Sequence, residues 1–390
     1  MKYMKSMTIT SILALILLSF TSVLYASNET VRARVVFIGD IMTHVQQLEA
    51  ARFGASWDFE PQFRTVKPLF NKRLSVGNLE TVFAGEKRKF AGYPSFNTPD
   101  ELARALANLK IDVAMLANNH ILDHGLDAAF RTTKVLDEVG IFWAGLSSQY
   151  DPDAPLVIEH SGLKWAFINY SYGSNSARQL SKSEDLRLNI INDDAIKTGL
   201  KRASAYEPDI IIAFFHWGAE YQYNPSKSQR NTVALCLNNG ADLVIGTHPH
   251  VLQPIEVVRT DKGYAVVAYS LGNFVSFQRT KPRERSIVLA VDVEKKQGER
   301  AVVSRVSIAP TWVSARREGA RRKIEVLYAG SGEFYNAALP TQELKNARTA
   351  GSAVLDFLGA VGGADEEGFY TLWNASAPDV LPKGRRKSPQ

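Results

Sequence analysis

Short, mainly apolar runs recur along the chain, and each run ends abruptly in a cluster of polar residues. The runs cover residues 35–38, 74–76, 112–116, 210–215, 242–245 and 266–269. Near-continuous apolar runs of this length predict strands that are covered on both faces, because a strand with one solvated face alternates apolar and polar residues. The chain is therefore expected to form a sheet that is buried between other layers.

Helix patterns with recognisable ends lie between several of these runs. The sequence TPDE at 98–101 predicts a capping box with proline at the first helical position, followed by a helix to about residue 109. Further helices are predicted at 127–139, before Gly140, and at 228–238, before Gly240. Alternating strands and helices predict a layered α/β domain. Such domains bind ligands beyond the carboxyl ends of their strands, which is where the polar clusters fall.

The pattern changes after about residue 295. Strands are predicted at 302–308 and 323–328 and a helix at 342–357, without a catalytic cluster. We therefore divide the 390 residues into a signal at 1–26, a main domain at 31–295, an accessory region at 296–376 and a flexible basic tail at 377–390. The composition, with 45% hydrophobic and 22% charged residues, excludes a disordered chain and a polytopic membrane protein.

The amino terminus predicts export. Lys2 and Lys5 precede an apolar run at 9–23, and the sequence turns polar at Ser27. This is the pattern of a secretory signal, which predicts a periplasmic or cell-surface protein. An uncleaved membrane anchor is the alternative, although the run is shorter than the ~20 residues of a membrane span. The single cysteine, Cys236, cannot form an intramolecular disulfide and is expected to be a small core residue.

The formal net charge is +6, and much of the basic excess is clustered. The clusters are Arg316, Arg317, Arg321, Arg322 and Lys323, and in the tail Lys383, Arg385, Arg386 and Lys387. A solvated surface is the simpler interpretation. Weak attraction to anionic lipid, polymer or nucleic acid is the alternative.

Six of the seven histidines follow predicted strand ends; the exception is His160, which is expected to be exposed in a hairpin turn. The polar set at these ends is Asp40, His44, Glu80, Asn119, His120, Asp123, His124, His216, His248 and His250. Neutral imidazoles, carboxylates and an amide oxygen suit Mn, Zn or Fe, and the absence of thiolates argues against a structural zinc site. A carboxylate shared by two ions would give a two-metal site that can hold a phosphate and activate water.

Several polar residues near this set keep two interpretations. His44 is either a ligand or a local helix cap, and His124 lies either in a loop or on one helical face with His120. Glu220 and Tyr221 either support His216 or line a groove for substrate.

The turn-forming residues near the late histidines predict local backbone geometry. Gly272 is expected to permit a tight turn, and Asn273 either hydrogen-bonds the site or stabilises that turn. Gly246 is expected to let the chain approach an ion, and Pro249 to narrow the backbone choices between His248 and His250. The two histidines are then expected to bind different ions.

Six blocks in order carry a family resemblance, namely FIGDIM, VGNLE, ANNHILDHG, HWGAEY, IGTHPHVLQP and YSLGNF. Over roughly residues 33–290 they closely resemble the bacterial CapA capsule-synthesis proteins, called PgsA in poly-γ-glutamate systems. CapA domains are in turn similar to calcineurin-like metallophosphoesterases. The resemblance implies a four-layer α/β/β/α fold, in which a sandwich of two sheets is flanked by helices.

The resemblance also implies roles for the residues that match. Asp40 would bind the first metal, Glu80 would bridge and Asn119 would bind the second. His216, His248 and His250 would complete the two shells, with two divalent ions (Mn, Zn or Fe) expected. His120 would be the general acid, oriented by Asp123. The chain departs from the pattern in two places: Met42 stands where a histidine is usual, and Glu80 replaces an aspartate.

The expected function follows from this resemblance. The chain would be an exported CapA-like protein for synthesis, attachment or export of an anionic capsule polymer such as poly-γ-glutamate, with metal-dependent phosphoester hydrolysis as its reaction. Its partners would be the envelope polymer or a phosphoester and membrane-bound synthesis proteins, without nucleic acid. A non-catalytic subunit that binds or scaffolds the polymer is the alternative. An amide ligase finds no support, because the chain has no phosphate-binding loop of the Gly-rich Lys-Ser/Thr type.

Overall fold

The computed structural model describes residues 30–148, 151, 153–176, 187–331, 339–360 and 362–377. The predicted signal at 1–26 and nearly all of the predicted tail lie outside these residues. None of the helices in the described ranges has the length and apolar character needed to cross a membrane. The α-helices are α1 (Val45–Ala51), α2 (Glu101–Leu109), α3 (Leu126–Glu138), α4 (Asp193–Ala205), α5 (Lys227–Asn238) and α6 (Thr341–Leu358).

The strands form two large sheets and two small pairs. In chain order they are β1 (Thr30–Ile41), β2 (Arg52–Phe53), β3 (Ser56–Trp57), β4 (Leu74–Leu79), β5 (Val113–Met115), β6 (Phe142–Ala144), β7 (Leu146–Ser147), β8 (Leu156–His160), β9 (Leu163–Ser171), β10 (Arg187–Leu188), β11 (Ile210–His216), β12 (Leu243–Thr247), β13 (Ile255–Thr260), β14 (Gly263–Ala268), β15 (Asn273–Val275), β16 (Arg285–Lys296), β17 (Val302–Glu318), β18 (Arg321–Tyr328) and β19 (Tyr370–Asn374).

The larger sheet has the order β18-β17-β16-β1-β4-β5-β6, with β15 beside β1 and β19 beside β17. The smaller sheet has the order β13-β14-β12-β11-β9-β8. Strands β1, β4, β5 and β6 run parallel in the first sheet, and β9, β11, β12 and β14 run parallel in the second. The carboxyl ends of each parallel set therefore lie at one edge of its sheet.

The two sheets pack face to face, and helices cover their outer faces. Alternate residues of β1 show this arrangement, because Phe37 packs with Phe167 and Phe214 of the smaller sheet, whereas Ile38 packs in the core beneath α2 and α3. Helices α4 and α5 cover the smaller sheet, where Cys236 is a buried core residue as expected. This order of layers confirms the predicted α/β/β/α sandwich.

The region beyond residue 295 continues the larger sheet. Strand β17 pairs with β16 on one side and with β18 and β19 on the other. Helix α6 packs its Val354 and Leu358 into the core that lies between the sheets. The strands and helix predicted here are present, and the division near residue 295 falls inside β16.

The predicted start of the helix that follows the TPDE sequence at 98–101 is wrong in its detail. Helix α2 begins at Glu101, and its N-cap residue is Asp100, which makes no capping hydrogen bond and instead pairs with Arg131. Thr98 cannot cap, because its backbone N–H donates to Val82 and its hydroxyl lies 2.7 Å from that of Thr81. A capping box is present elsewhere, where the side chain of Ser226 caps α5.

The hairpin predicted around His160 is present. His160 ends β8 and pairs with Leu163, which starts β9. The two residues between them, Ser161 and Gly162, have φ values of 52° and 75°, which is the left-handed geometry of a tight hairpin turn. His160 is half-buried rather than exposed as expected.

Candidate metal centre

The polar clusters meet where the carboxyl edges of the two sheets face each other. The residues from the larger sheet are Asp40 at the end of β1, Asn78 and Glu80 at the end of β4, and Asn118, Asn119 and His120 after β5; those from the smaller sheet are His216 at the end of β11 and His248 and His250 after β12. All of these side chains are buried. The ends of parallel strands bring them together although they are distant along the chain.

One group of donors consists of Asp40, Glu80 and His250. One donor atom from each lies within 4.8 Å of the other two. The Oδ2 of Asp40 is 3.0 Å from the Nδ1 of His250, and the Oε1 of Glu80 is 3.9 Å from the Nε2 of His250. The chemistry is that of a site for a borderline divalent ion with oxygen and nitrogen ligands.

A second group consists of Glu80, His216 and His248, and it shares Glu80 with the first. The Nε2 of His216 lies 3.6 Å from the Oε1 of Glu80 and 3.1 Å from the Nδ1 of His248. The amide oxygen of Asn119 is 2.8 Å from the same Nε2. A carboxylate, an amide oxygen and two imidazoles therefore converge, and Glu80 is placed to bridge two groups.

The Oε1 atom of Glu80 is the clearest sign that a cation fits here. Glu80 is fully buried, and this oxygen has no hydrogen-bond partner among the described residues. A buried charged oxygen without a partner is costly, because it has lost water and gained nothing in exchange. Burial and the neighbouring Asp40 raise the pKa of Glu80 well above its usual value. A bound cation would relieve both effects.

Burial favours the neutral form of the two imidazoles of the second group. Burial lowers the pKa of His216 well below its usual value, and the neighbouring His248 lowers it further. Burial also lowers the pKa of His248 to about 4, with a further contribution from His250. Neutral imidazole nitrogen is the form that binds metal ions.

Asn78 organises the two carboxylates, and the sequence patterns gave it no role. Its Nδ2 donates to Asp40 Oδ1 at 2.8 Å, and it lies 3.4 Å from Glu80 Oε2 and 3.3 Å from His216 Nδ1. Asn118 in turn donates to Asn78 Oδ1 at 3.3 Å and to the carbonyl of Leu79 at 2.8 Å. The spacing of Asn78 and Glu80, two residues apart on one strand face, is a signal that could have identified it.

His120 lies beside the donor groups. Its Nδ1 is 2.8 Å from Asp123 Oδ2, which also accepts the backbone N–H of Phe96. Its Nε2 lies 3.4 Å from the Nδ2 of Asn175. The edge of the Phe96 ring packs against the imidazole, with the ring centroids 4.7 Å apart. Asp123 thus fixes the orientation of His120, as expected for a positioned acid or base.

His44 and His124 lie outside both donor groups. His44 is the N-cap residue of α1, and its Nδ1 accepts the backbone N–H of Phe277 at 3.2 Å. Burial lowers the pKa of His44 to about 4. His124 lies in a turn, and its Nε2 is 3.3 Å from the hydroxyl of Ser95. Met42 is buried, and its backbone N–H donates to the carbonyl of Val275.

Two glycines allow close approach at the site. A Cβ on Gly39 would lie 1.8 Å from the carbonyl oxygen of Gly272, the atom that accepts the N–H of Asp40. A Cβ on Gly246 would lie 2.3 Å from Trp217 Nε1, which donates to the carbonyl of Tyr269. This glycine therefore makes room for an indole ring and its hydrogen bond, and approach of the chain to an ion at Gly246 stays a prediction.

The backbone at the two late histidines has unusual geometry. His248 and His250 have φ values of 96° and 58°, which few residues other than glycine adopt. Such strained geometry persists where the surrounding structure imposes it, and it directs both imidazoles toward the carboxylates. Gly272 has a φ of 68°, a geometry that favours glycine, and it forms a bridge with Ser286. Asn273 does contact the site, since its Oδ1 is 2.9 Å from His250 Nδ1.

Tyr221 is half-buried beside His250, whereas Glu220 is exposed. The ring of Tyr221 lies 6.1 Å from that of His250, measured between centroids, and its backbone N–H donates to the carbonyl of Pro249. Neither residue contacts His216 in the described structure. This position favours the groove interpretation over support of His216.

The fold and the centre together define a four-layer α/β protein with a buried cluster of acid, amide and imidazole groups between two sheet edges. The family model described as "Bacterial capsule synthesis protein PGA_cap" matches residues 34–278, more than half of the chain. The chain therefore belongs to the family of bacterial capsule synthesis proteins, which confirms the CapA resemblance.

Two relatives and one solved structure are similar to the chain. It is 26% identical over 272 residues to the capsule biosynthesis protein CapA of Bacillus anthracis, covering 67% of this chain and 64% of the relative. It is 29% identical over 264 residues to the PGA biosynthesis protein CapA of Bacillus subtilis, covering 65% and 66%. The calcineurin-like phosphoesterase YfkN of Bacillus subtilis has a TM-score of 0.45 at 15% identity, covering 84% of this chain and 99% of YfkN. The chain thus spans about two thirds of the length of these two relatives.

Proposed function

We propose that the protein is an exported, metal-dependent phosphoesterase-like hydrolase that acts in the synthesis, attachment or export of an anionic capsule polymer such as poly-γ-glutamate. The observation that carries the proposal is the buried, unpartnered Oε1 of Glu80 between two donor groups. Family membership and the names of the two relatives support the role in the capsule. The signal pattern at 1–26 supports export to the periplasm or cell surface.

Two sets of residues would hold the divalent ions. Asp40, Glu80 and His250 would bind one ion, and Glu80, His216 and His248 would bind the other together with the amide oxygen of Asn119. Mn, Zn or Fe suits this mixture of ligands. Such ions would polarise a phosphoryl group and lower the pKa of a bound water, which is the chemistry that hydrolysis requires.

The residues of the chain supply the proton for the leaving group. The Oδ2 of Asp123 accepts a hydrogen bond from the Nδ1–H of His120 and so holds the ring in one orientation. The Nε2–H of His120 can then be donated to the departing oxygen. Phe96 packs against the imidazole and limits its rotation.

Metal analysis combined with a phosphodiesterase assay tests this function. The purified protein would be stripped with a chelator, reloaded with Mn and assayed on bis(p-nitrophenyl) phosphate, with Glu80→Gln as the comparison. We expect bound metal and turnover in the wild type, and the loss of both in Glu80→Gln. Wild-type protein that binds no ion at saturating Mn would contradict the proposal.

A second candidate function is a non-catalytic subunit that binds the polymer. It is favoured by Met42, which occupies the position where the resemblance implies a histidine and leaves the first group with three donors. The two candidates differ in living cells. His120→Ala should stop capsule production if the protein acts as a hydrolase, and should leave it intact if the protein is a scaffold.

A further inference from the structure

A loop at residues 276–284 borders the candidate centre and carries two arginines. The backbone N–H of Phe277 donates to His44 Nδ1 at one end of this loop. At the other end, the Nδ2 of Asn273 donates to the carbonyl of Arg283, and its Oδ1 contacts His250. The loop is thus held at one end by His44 and at the other by Asn273, which contacts His250 of the centre.

Both arginines of the loop contact aromatic rings. The Cζ of Arg283 lies 3.4 Å from the centroid of the Tyr221 ring, which itself lies beside His250. Arg279 is exposed, and its Cζ lies 5.9 Å from the centroid of Phe277. In the described part of the chain, no carboxylate oxygen lies within 4.0 Å of either guanidinium. The Nη1 of Arg279 donates to the carbonyl of Val313 at 2.7 Å. Stacking on a ring orients a guanidinium, and the remaining N–H donors can bind an anion.

The hairpin of β17 and β18 places like charges opposite each other. Arg316 faces Lys323 across the strands, and Arg317 faces Arg322. Like charges directly opposite in a sheet are destabilising. The first pair shares two carboxylates, those of Glu318 and Glu325.

The second pair is not compensated in this way. The carboxylate nearest to Arg322 is that of Glu49, at 3.7 Å. Arg317 is exposed and, among the described residues, has no carboxylate within 4.0 Å; the same is true of Arg321 at the tip. The hairpin therefore holds an exposed group of positive charges whose repulsion a bound anion would relieve.

The hairpin and the loop meet at one aromatic ring. The Cζ of Arg322 lies 5.1 Å from the centroid of Phe277, the ring that Arg279 also contacts. Phe277 in turn is bonded through its backbone to His44, whose ring packs against Phe96. The positive charges therefore extend from beside the candidate centre to the hairpin tip. We call Arg279, Arg283, Arg317, Arg321 and Arg322 the arginine track.

We propose that the arginine track binds an extended anionic polymer whose reacting end lies at the candidate metal centre. This inference rests on the proposed function, because it identifies the anionic polymer as the partner of the same site. Guanidinium groups match carboxylates and phosphates through paired N–H donors. A small anion would satisfy one or two of these groups, whereas a polymer can reach the loop and the hairpin together.

Polymer binding to charge-reversal variants tests the arginine track. Labelled poly-γ-glutamate would be titrated with the full chain, and binding followed by fluorescence anisotropy in the presence of a chelator. The test variant carries Arg317→Glu and Arg321→Glu. The matched control carries Arg259→Glu and Lys262→Glu, which are exposed residues of the β13–β14 hairpin and give the same change in charge.

We expect the test variant to bind about tenfold more weakly at low salt and the control to bind within about twofold of the wild type. Wild-type affinity should also fall as salt is raised, because exposed charges are screened. Equal weakening in both variants, or none, would overturn the arginine track. Because binding is measured without metal, this result is separate from the metal and turnover assays of the proposed function.

A milder variant and a second anionic probe complete the test. If the charge-reversal variant unfolds, a variant with Arg317→Gln and Arg321→Gln takes its place. It removes the repulsion between Arg317 and Arg322 and should still lower the affinity for the polymer. Phosphatidylserine vesicles provide the other anionic surface that a basic hairpin could bind. Vesicle binding that depends on Arg317 and Arg321 while polymer binding does not would overturn the proposal in favour of a membrane contact.

Discussion

Asp40 and His250 are 210 residues apart in the chain, and their Oδ2 and Nδ1 atoms lie 3.0 Å apart. Asp40 ends a strand of the larger sheet, and His250 follows a strand of the smaller one. The second donor group also joins the two sheets, since Glu80 comes from the larger and His216 from the smaller. An ion bound by either group would therefore crosslink the sandwich and stabilise the folded state.

Glu80→Gln is expected to stabilise the metal-free protein at neutral pH. The pKa of Glu80 is raised above its usual value of 4.5 by burial and by Asp40. A carboxyl group whose pKa is higher in the folded state binds more protons there, so stability falls as pH rises from the unfolded-state pKa through the folded-state pKa. Thermal unfolding with a chelator from about pH 4.5 to 8 should show Glu80→Gln gaining stability relative to the wild type as pH rises, because the lowered pKa values of the buried histidines affect both curves alike.

The exposed Glu159 provides the control for this prediction. Glu159→Gln should follow the wild-type curve at every pH. Addition of Mn should raise the unfolding temperature of the wild type and of Glu159→Gln, with little effect on Glu80→Gln. Identical curves for Glu80→Gln and the wild type in chelator would show that the buried carboxylate costs the metal-free fold nothing.

Asn78→Ala is expected to weaken metal binding although Asn78 belongs to neither donor group. Its amide holds Asp40 Oδ1 at 2.8 Å and also contacts Glu80 and His216. Loss of such an orienting residue typically costs about 10–100-fold in metal affinity. Titration with Mn, followed by calorimetry, measures the effect.

Asn169→Ala is the matched control, because Asn169 is also a buried asparagine that bonds the backbone, at Ala117 and Phe214. That substitution should lower the unfolding temperature and leave Mn affinity nearly unchanged. If both variants lose affinity equally, the effect of Asn78 is one of general stability.

The strand ends were predictable because the carboxyl ends of parallel strands share an edge, so Asp40 and Glu80 of the larger sheet could be placed together from the sequence. The role of Asn78 was not evident from its residue type, because a buried amide bonds backbone in one protein and carboxylates in another, and its spacing from Glu80 was the one sequence signal for it. His44 shows a second limit of prediction from the sequence. Its partner Phe277 is 233 residues away, and no local pattern reports that contact. The prediction of a capping box at Thr98 was wrong for a similar reason, because the backbone N–H of Thr98 donates to the carbonyl of Val82.

His120→Ala is expected to lower phosphodiesterase turnover by about 10²–10⁴-fold, the usual contribution of a positioned acid or base. Metal content should not change, because His120 lies outside both donor groups. Asp123→Asn should lose less, since the ring stays in place and only its orienting carboxylate is removed.

His124→Ala is the control, because His124 lies four residues further on and contacts Ser95. It should retain activity close to that of the wild type. Turnover by His120→Ala at the wild-type rate, with full metal content, would remove His120 from the mechanism and leave the donor groups unaffected.

Gly39→Ala is expected to destabilise the fold and displace Asp40. The added Cβ would lie 1.8 Å from the carbonyl oxygen of Gly272, a rigid backbone atom that accepts the Asp40 N–H. Forcing an extra carbon into such a contact should lower the free energy of unfolding by ~3 kcal/mol. Gly363→Ala, where an added Cβ has no atom within 4 Å, is the control and should stay near the wild type. Chemical denaturation measures the free energy of unfolding of both variants. If Gly39→Ala were as stable as the wild type, β1 and Gly272 would not be in contact in solution.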